Sequence, residues 1–316
     1  MSAEIKIAAD KFCSVASVAK KITGSILTVG PDGIIVSVEG LWMINSAAHS
    51  CSDSSASFTS DVPLAKLKKI NGDITITECD SGYSLSGTDR SGVSVNETVE
   101  ARSMDSIPEV NEENKVGKID SSELVKLLSS KLTSSLPTYL MFSKESAISF
   151  VLNEFNAGLT KAAGEFEVPF AAGLSKNAVS KLYSILSKLK ANILFDMSAF
   201  SCWDSTYIKL HSDLGMTLII ETANKHIPAY PSHLAPSPAL FTVTAEELQS
   251  LLKVKPSYED KTTITKGDYK VEVMSATLVP VFNVLDKTGV ISVSTREHFV
   301  YLCDANNHVF VVGAAK

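Results

Sequence analysis

One short pattern recurs six times along this 316-residue chain: a lysine-bearing amphipathic helix set among strand-like segments. Recurrence of this kind means a supersecondary unit that cannot bury its apolar face alone and must pack on its neighbours. In the first unit Glu4-Ile5-Lys6-Ile7 alternates with period two; Phe12, Val15, Ala19 and Ile22 then fall at helical spacing, and Gly24 closes the helix. Strands are expected at 25–29 and 33–39, joined by the turn Gly30-Pro31-Asp32-Gly33, and near 42–47. The second unit carries a short helix over 64–70 and strands at 73–78, 83–86 and 92–96. The third opens on a strand at 116–119, with Asp120 or Ser121 capping a helix striped by Leu124, Leu127, Leu128 and Leu132.

The fourth helix is the cleanest: Ser175 is its cap, and Val179, Leu182, Leu186 and Leu189 recur at three- and four-residue steps. Strands follow at 191–195, 207–211 and 216–221. In the fifth unit a strand at 241–243 meets the capping box Thr244-Ala245-Glu246-Glu247 and a helix on Leu248, Leu251 and Leu252. The sixth places Leu278, Val281, Val284 and Leu285 on a short helix before strands at 290–294, 299–303 and 309–312. Two stretches interrupt the series. One is the acidic segment 104–114 with Pro108; the other, 227–238, holds four of the eleven prolines. They predict three domains, 1–112, 113–236 and a shorter 237–316, of α+β class with antiparallel sheets.

With 45% apolar residues each domain can bury a core, so charged disorder is excluded. No window approaches eighteen consecutive apolar residues, and Met1 to Lys6 lacks a basic stretch followed by an apolar run. Cys13, Cys51, Cys79, Cys202 and Cys303 are odd in number and scattered, as expected of reduced thiols in a cytoplasmic compartment.

The net charge of −6 speaks against a nucleic-acid partner until its distribution is read. Over the helix windows 8–22, 62–70, 120–134, 175–190, 244–255 and 276–287, fifteen lysines face six acidic residues, a surplus of nine that leaves −15 elsewhere. Lysine favours helices in any protein. The alternative is a shared helical surface that attracts phosphate through Lys11, Lys20, Lys21, Lys66, Lys68, Lys69, Lys126, Lys131, Lys176, Lys181, Lys188, Lys190, Lys253 and Lys255. Such contacts are independent of sequence and sensitive to salt. Arginine, the usual reader of base edges, is confined to Arg90, Arg102 and Arg296.

The order of these elements resembles the bacterial-type DNA sliding clamp, the β subunit of the replicative polymerase, or a phage relative of it. The likeness rests on the opening strand and helix to Ile22, on Thr59-Ser60-Asp61-Val62-Pro63-Leu64-Ala65-Lys66-Leu67, and on Ser106-Ile107-Pro108-Glu109-Val110, which is similar to the family's phenylalanine-proline linker. In the next domain Val168-Pro169-Phe170 leads into the helix over 175–190, and His226-Ile227-Pro228-Ala229-Tyr230-Pro231 resembles the second linker. The resemblance implies a DNA-clamp fold in which six equivalent domains form a ring, its helices lining a hole around double-stranded DNA. Three domains per chain imply a head-to-tail homodimer; two would make a trimer. It further implies the replicative polymerase and a clamp loader as partners, in a bacterial cell or phage-infected host. Their peptides would enter an apolar pocket near Leu159, Leu234, Pro236, Pro238, Val311 and Val312. Around Asn156-Ala157-Gly158-Leu159 the family's Asp-Gly-His-Arg-Leu-like segment is replaced, and the chain ends Val312-Gly313-Ala314-Ala315-Lys316 without a methionine-proline ending.

Catalytic readings are weaker. Ser17-Val18-Ala19-Lys20, Ser94-Val95-Asn96 and Lys287-Thr288-Gly289 match a penicillin-recognising set in order, but the chain is serine-rich and Ser17 falls mid-helix. The six histidines show no HExxH or HxxxH spacing, and there is no P-loop or GxGxxG, so neither a metal nor a nucleotide cofactor is expected. Glu112-Glu113 and Glu259-Asp260 read as solvated loop pairs, and Trp42 and Trp203 as core residues. No enzymatic activity is expected. Two other readings stay open: a monomeric DNA-binding processivity factor, and a structural adaptor built of repeated α+β units.

Overall fold

The computed structural model describes residues 4–313 apart from 51, 111, 130–136, 145, 153–155, 190–191, 224–237, 253–256, 258, 284, 297 and 306–308. Six helices are described: α1 Ala9–Ala19, α2 Leu64–Leu67, α3 Ser121–Leu128, α4 Lys176–Leu186, α5 Ala245–Ser250 and α6 Ser275–Phe282. A 3-10 turn, Ser46–Ala48, and β-sheet make up the rest of the described regular structure, and the strand pairs whose register is described are antiparallel, as the repeat predicted. These residues form two compact units, one of Met1–Lys118 with Lys181–Thr222, the other of Ile119–Ser180 with Ala223–Lys316.

In the first unit a four-stranded sheet runs in the order Ile5–Ala8, Asp73–Cys79, Gly82–Thr88, Ser94–Val99. α1 follows the first of these strands directly and buries Ala9, Phe12, Cys13, Val15, Ala16 and Ala19, the face that its three- and four-residue spacing defines. Phe12 stands 6.3 Å from Phe58, whose ring is 5.9 Å from Tyr83. The helix ends earlier than its apolar spacing predicted, and the chain turns back at Gly24, whose φ of 77° is costly for any residue with a Cβ.

The unit's long sheet passes from Leu194–Cys202 through Ser205–His211 and Met216–Glu221 to Leu41–Asn45, Gly33–Val38, Ile26–Gly30 and Ala56–Thr59. Two segments far apart in sequence therefore share one sheet, joined where Leu218 faces Met43 and Ile219 faces Trp42. Leu41, Trp42, Met43, Leu218, Ile219 and Ile220 are all buried, so this seam is covered on both faces. On one face Trp42, Phe200, Tyr207 and Ile219 cluster beneath Ile107, and the Trp42 indole N–H donates to the Asp105 carbonyl at 3.4 Å. The acidic segment read as a linker thus lies on the sheet.

The second unit repeats the device. Its eight-stranded sheet runs Phe170–Leu174, Thr138–Ser143, Ser146–Leu152, Asn156–Ala163, Val309–Gly313, Phe299–Cys303, Val290–Arg296, Phe241–Thr244. Here too a seam joins distant segments, with Ala157 opposite Val311 and Leu159 opposite Val309. A separate hairpin pairs Lys261–Lys266 with Tyr269–Met274. The main core gathers Leu248 of α5, Leu278 and Val281 of α6, Ile264, Val273, Ile291, Val293, Val300 and Leu302. The capping box of α5 forms as expected: Thr244 accepts from the Glu247 N–H at 3.1 Å, and Glu247 accepts from the Thr244 N–H at 2.8 Å. Ser175 likewise accepts from the Ala178 N–H at 3.1 Å. Asp120 holds the N-cap position of α3 but makes no side-chain cap bond; the Ala163 N–H instead donates to Glu123 at 2.8 Å.

Trp203 corrects the expectation of a buried residue, since it is 97% exposed. It occupies the tip of the hairpin between Leu194–Cys202 and Ser205–His211, where no described strand or helix buries the indole.

Candidate nucleic-acid interface

Of the fourteen lysines expected to meet phosphate ten are described, and the structure places half of these beyond the helices proper. Only Lys11, Lys66, Lys126, Lys176 and Lys181 lie within helix bounds; Lys20 and Lys68 are C-cap residues, and Lys21, Lys69 and Lys188 follow within a turn. A helix C-terminus carries a partial negative charge from its unpaired carbonyls, so cations gather there. Lys131, Lys190, Lys253 and Lys255 lie outside the described residues.

Many of the described lysines are already engaged. Lys11 donates to the Ala47 carbonyl at 2.7 Å, and Lys20 stands 3.5 Å from Asp61 and 3.3 Å from the Val62 carbonyl. Lys66 pairs with Glu97 at 2.6 Å, Lys126 with Glu123 at 4.0 Å, and Lys181 with Glu39 at 4.0 Å. Spacing could not reveal these pairs, because apart from Lys126–Glu123 each partner comes from a distant part of the chain.

Lys21, Lys68 and Lys188 behave differently. They come together on one cleft of about 750 Å³ in the first unit. Val15 and Val18 of α1 and Ile185 of α4 line it together with Met43 and Met216, which belong to the two seam strands. Among the described residues none of these three lysines forms an ion pair, and Asp10 is the only acidic side chain lining the cleft. Three cations against one carboxylate leave the cleft with a surplus of two positive charges. Cys13 also lines it; burial pushes its thiol above the ordinary value, Lys68 opposes that shift and Asp10 adds to it. Asn45 also lines the cleft, and its side-chain carbonyl oxygen is buried without a hydrogen-bond partner. Neither Asp10 nor Asn45 carried a sequence signal for this role.

Ser17, the nucleophile of the penicillin-recognising match, donates to the Cys13 carbonyl at 2.6 Å, while Lys20 turns to Asp61. This is helix back-bonding rather than an activated pair.

Of the apolar pocket, Leu159 is buried with Ala157 and Tyr301 in a small cluster on the sheet face away from α3. The face follows from alternation, since the neighbouring pair Ser149–Thr160 points to α3, where Ser149 donates to the Leu127 carbonyl at 2.6 Å. Val311 stands opposite Ala157 and Tyr301, whereas Val312 stands opposite Asn156 and Val300. Pro238 is exposed; Leu234 and Pro236 lie outside the described residues.

Comparison with solved structures returns the same architecture end to end. The DNA polymerase sliding clamp of Bacillus subtilis matches over 100% of this chain and 100% of its own, with a TM-score of 0.69 at 12% identity. The sliding clamp of Pseudomonas aeruginosa covers 99% of both chains at a TM-score of 0.70 and 10% identity. The β subunit of DNA polymerase III from Thermotoga maritima does so at 0.69 and 11%. At these identities the likeness is one of fold: the chain has the sliding-clamp fold over its whole length. No protein-family model and no curated protein matches it by sequence.

Proposed function

We propose that this chain is a DNA polymerase processivity factor, one subunit of a ring that encircles duplex DNA and catalyses nothing. The reading is carried by the full-length likeness to three bacterial clamps, unbroken from one end of each chain to the other. The lysine-rimmed cleft adds the chemistry such a ring needs, cations that meet phosphate without reading bases. A chain of three clamp domains, 1–112, 113–236 and 237–316, would complete six with one further copy, so a head-to-tail homodimer is the assembly proposed. Held on DNA by topology, the ring keeps a bound polymerase at high effective concentration without a tight local contact. The polymerase and a clamp loader would dock short peptides at the cluster around Leu159, which Val311 joins in register. The cell compartment is then the cytoplasm of a bacterium or of a phage-infected host.

The test uses a nicked circular duplex. The mass in solution is measured first; the protein is then loaded on the circle, and its retention is compared before and after the circle is cut. A mass of two chains and retention lost on cutting are expected. Retention indifferent to cutting would replace the ring with a monomeric factor held by charge alone, and no association with DNA would leave a structural adaptor.

A further inference from the structure

We propose that the DNA backbone is gripped chiefly at the cleft between α1 and α4, where Lys21, Lys68 and Lys188 meet phosphate, and that Lys66, Lys126 and Lys181 contribute little. This rests on the reading that the chain encircles duplex DNA. It divides the lysines by what surrounds each one. A lysine already beside a carboxylate offers an incoming phosphate almost no net charge, and drawing it away leaves the carboxylate to repel the same phosphate. Lys66 with Glu97, Lys126 with Glu123 and Lys181 with Glu39 are in that state. Lys21, Lys68 and Lys188 have no such partner among the described residues and share one cleft with a surplus of positive charge.

Helix-dipole stabilisation alone would place a lysine near each C-terminus. It does not require the ends of α1, α2 and α4 to bring theirs to a single cleft.

The experiment measures binding of the full-length protein to a short labelled linear duplex by anisotropy across a salt series. One variant carries Lys21→Gln, Lys68→Gln and Lys188→Gln; the control carries Lys66→Gln, Lys126→Gln and Lys181→Gln. Both change the net charge by the same amount, so a difference between them reports local contact and not the overall field. Each neutralised phosphate contributes about 0.9 to the slope of log affinity against log salt, so the cleft variant should lose roughly two to three units and the control less than one. A third variant, Lys21→Arg with Lys68→Arg and Lys188→Arg, should keep the slope, which separates lost charge from a damaged fold. Equal slopes in the first two variants, or a larger loss in the control, overturn the proposal.

Retention on a nicked circle is measured on the same proteins. If the unaltered protein is trapped on circles but shows no salt-dependent binding to the linear duplex, the cleft proposal fails and the ring reading stands. If it is neither trapped nor bound, both fail.

Discussion

The two units close their long sheets in the same way and with different material. In the first, Leu41, Trp42 and Met43 meet Leu218, Ile219 and Ile220, six large side chains buried on both faces. In the second, the strand Asn156–Ala163 brings Asn156, Ala157 and Gly158 to the seam, with Leu159 as the large residue of that stretch whose burial is described. The two strands Met216–Glu221 and Asn156–Ala163 hold matching places at the seams and differ in apolar area. Each fully buried large side chain stabilises by ~1.5–3 kcal/mol; at the seam the first strand brings Leu218, Ile219 and Ile220, and the second brings Leu159. Amides of Met216–Glu221 are therefore expected to open later than those of Asn156–Ala163.

The sharpest way to break that contrast is to remove a large side chain from the first seam. Leu218 is fully buried opposite Met43, on the side of the sheet that floors the cleft. Leu218→Ala should cost about 3–4 kcal/mol through lost transfer energy and the cavity left among close-packed neighbours. Hydrogen exchange should then show amides of Leu41–Asn45 losing protection relative to those of Asn156–Ala163; an unchanged ratio would mean that the apolar seam is not what holds the strands. Leu159→Ala makes the reciprocal test. Among the described residues its cluster has Ala157 and Tyr301 as the other buried members, one of them small, and a loss nearer ~2 kcal/mol is expected. A loss greater than that of Leu218→Ala in chemical denaturation would reverse the ranking of the two seams.

The same contrast decided what could be read from sequence. Apolar runs such as 216–221 announce a buried strand whatever they pair with, and that strand is Met216–Glu221. Asn-Ala-Gly-Leu-Thr-Lys-Ala-Ala, over 156–163, carries weak strand propensity and owes its conformation to the strands on either side. The hairpin Lys261–Lys266 with Tyr269–Met274 is not among the strands expected from the sequence. The helices were legible as elements but not in extent. Lysines counted as helical lie past the C-termini of α1, α2 and α4, because local apolar spacing continues after the hydrogen-bonded turns have stopped. Of the candidate interface, the excess of lysine was visible. Which lysines are neutralised was not, since Glu97 and Glu39 reach Lys66 and Lys181 only through the tertiary fold.

The first unit also carries a removable cost. At the Leu194–Cys202 hairpin the two central residues are Trp203 and Asp204, and only Trp203 has a positive φ, 55°. Positive φ confined to the first central position is the pattern of a turn that favours glycine there. Trp203→Gly should relieve about 1–2 kcal/mol of backbone strain while giving up almost no buried surface, since the indole is 97% exposed. Part of that gain is offset by the greater freedom of glycine in the unfolded chain, so a net rise of ~1 kcal/mol is expected. Thermal melting would register it as a higher Tm and so widen the gap between the units; a lower Tm would mean that the indole makes a stabilising contact.

The second unit can be weakened more gently through the cap of α5, and pH gives the effect its signature. Glu247 accepts from Lys266 and from the Thr244 N–H, and these hydrogen bonds hold its carboxyl below the ordinary value. A carboxylate whose folded-state value is depressed contributes stability that is present above the unfolded value and is lost as pH falls through the folded one. Glu247→Gln keeps the shape and removes the charge, so the variant should be less stable than the parent at neutral pH. The two should converge as pH falls below about 4.3, the ordinary value for glutamate. The Glu247 side chain is solvent-exposed, so salt should shrink the difference at neutral pH as well. Parallel denaturation midpoints of the two proteins across pH 3–7 would show that the Glu247 charge plays no part in the cap.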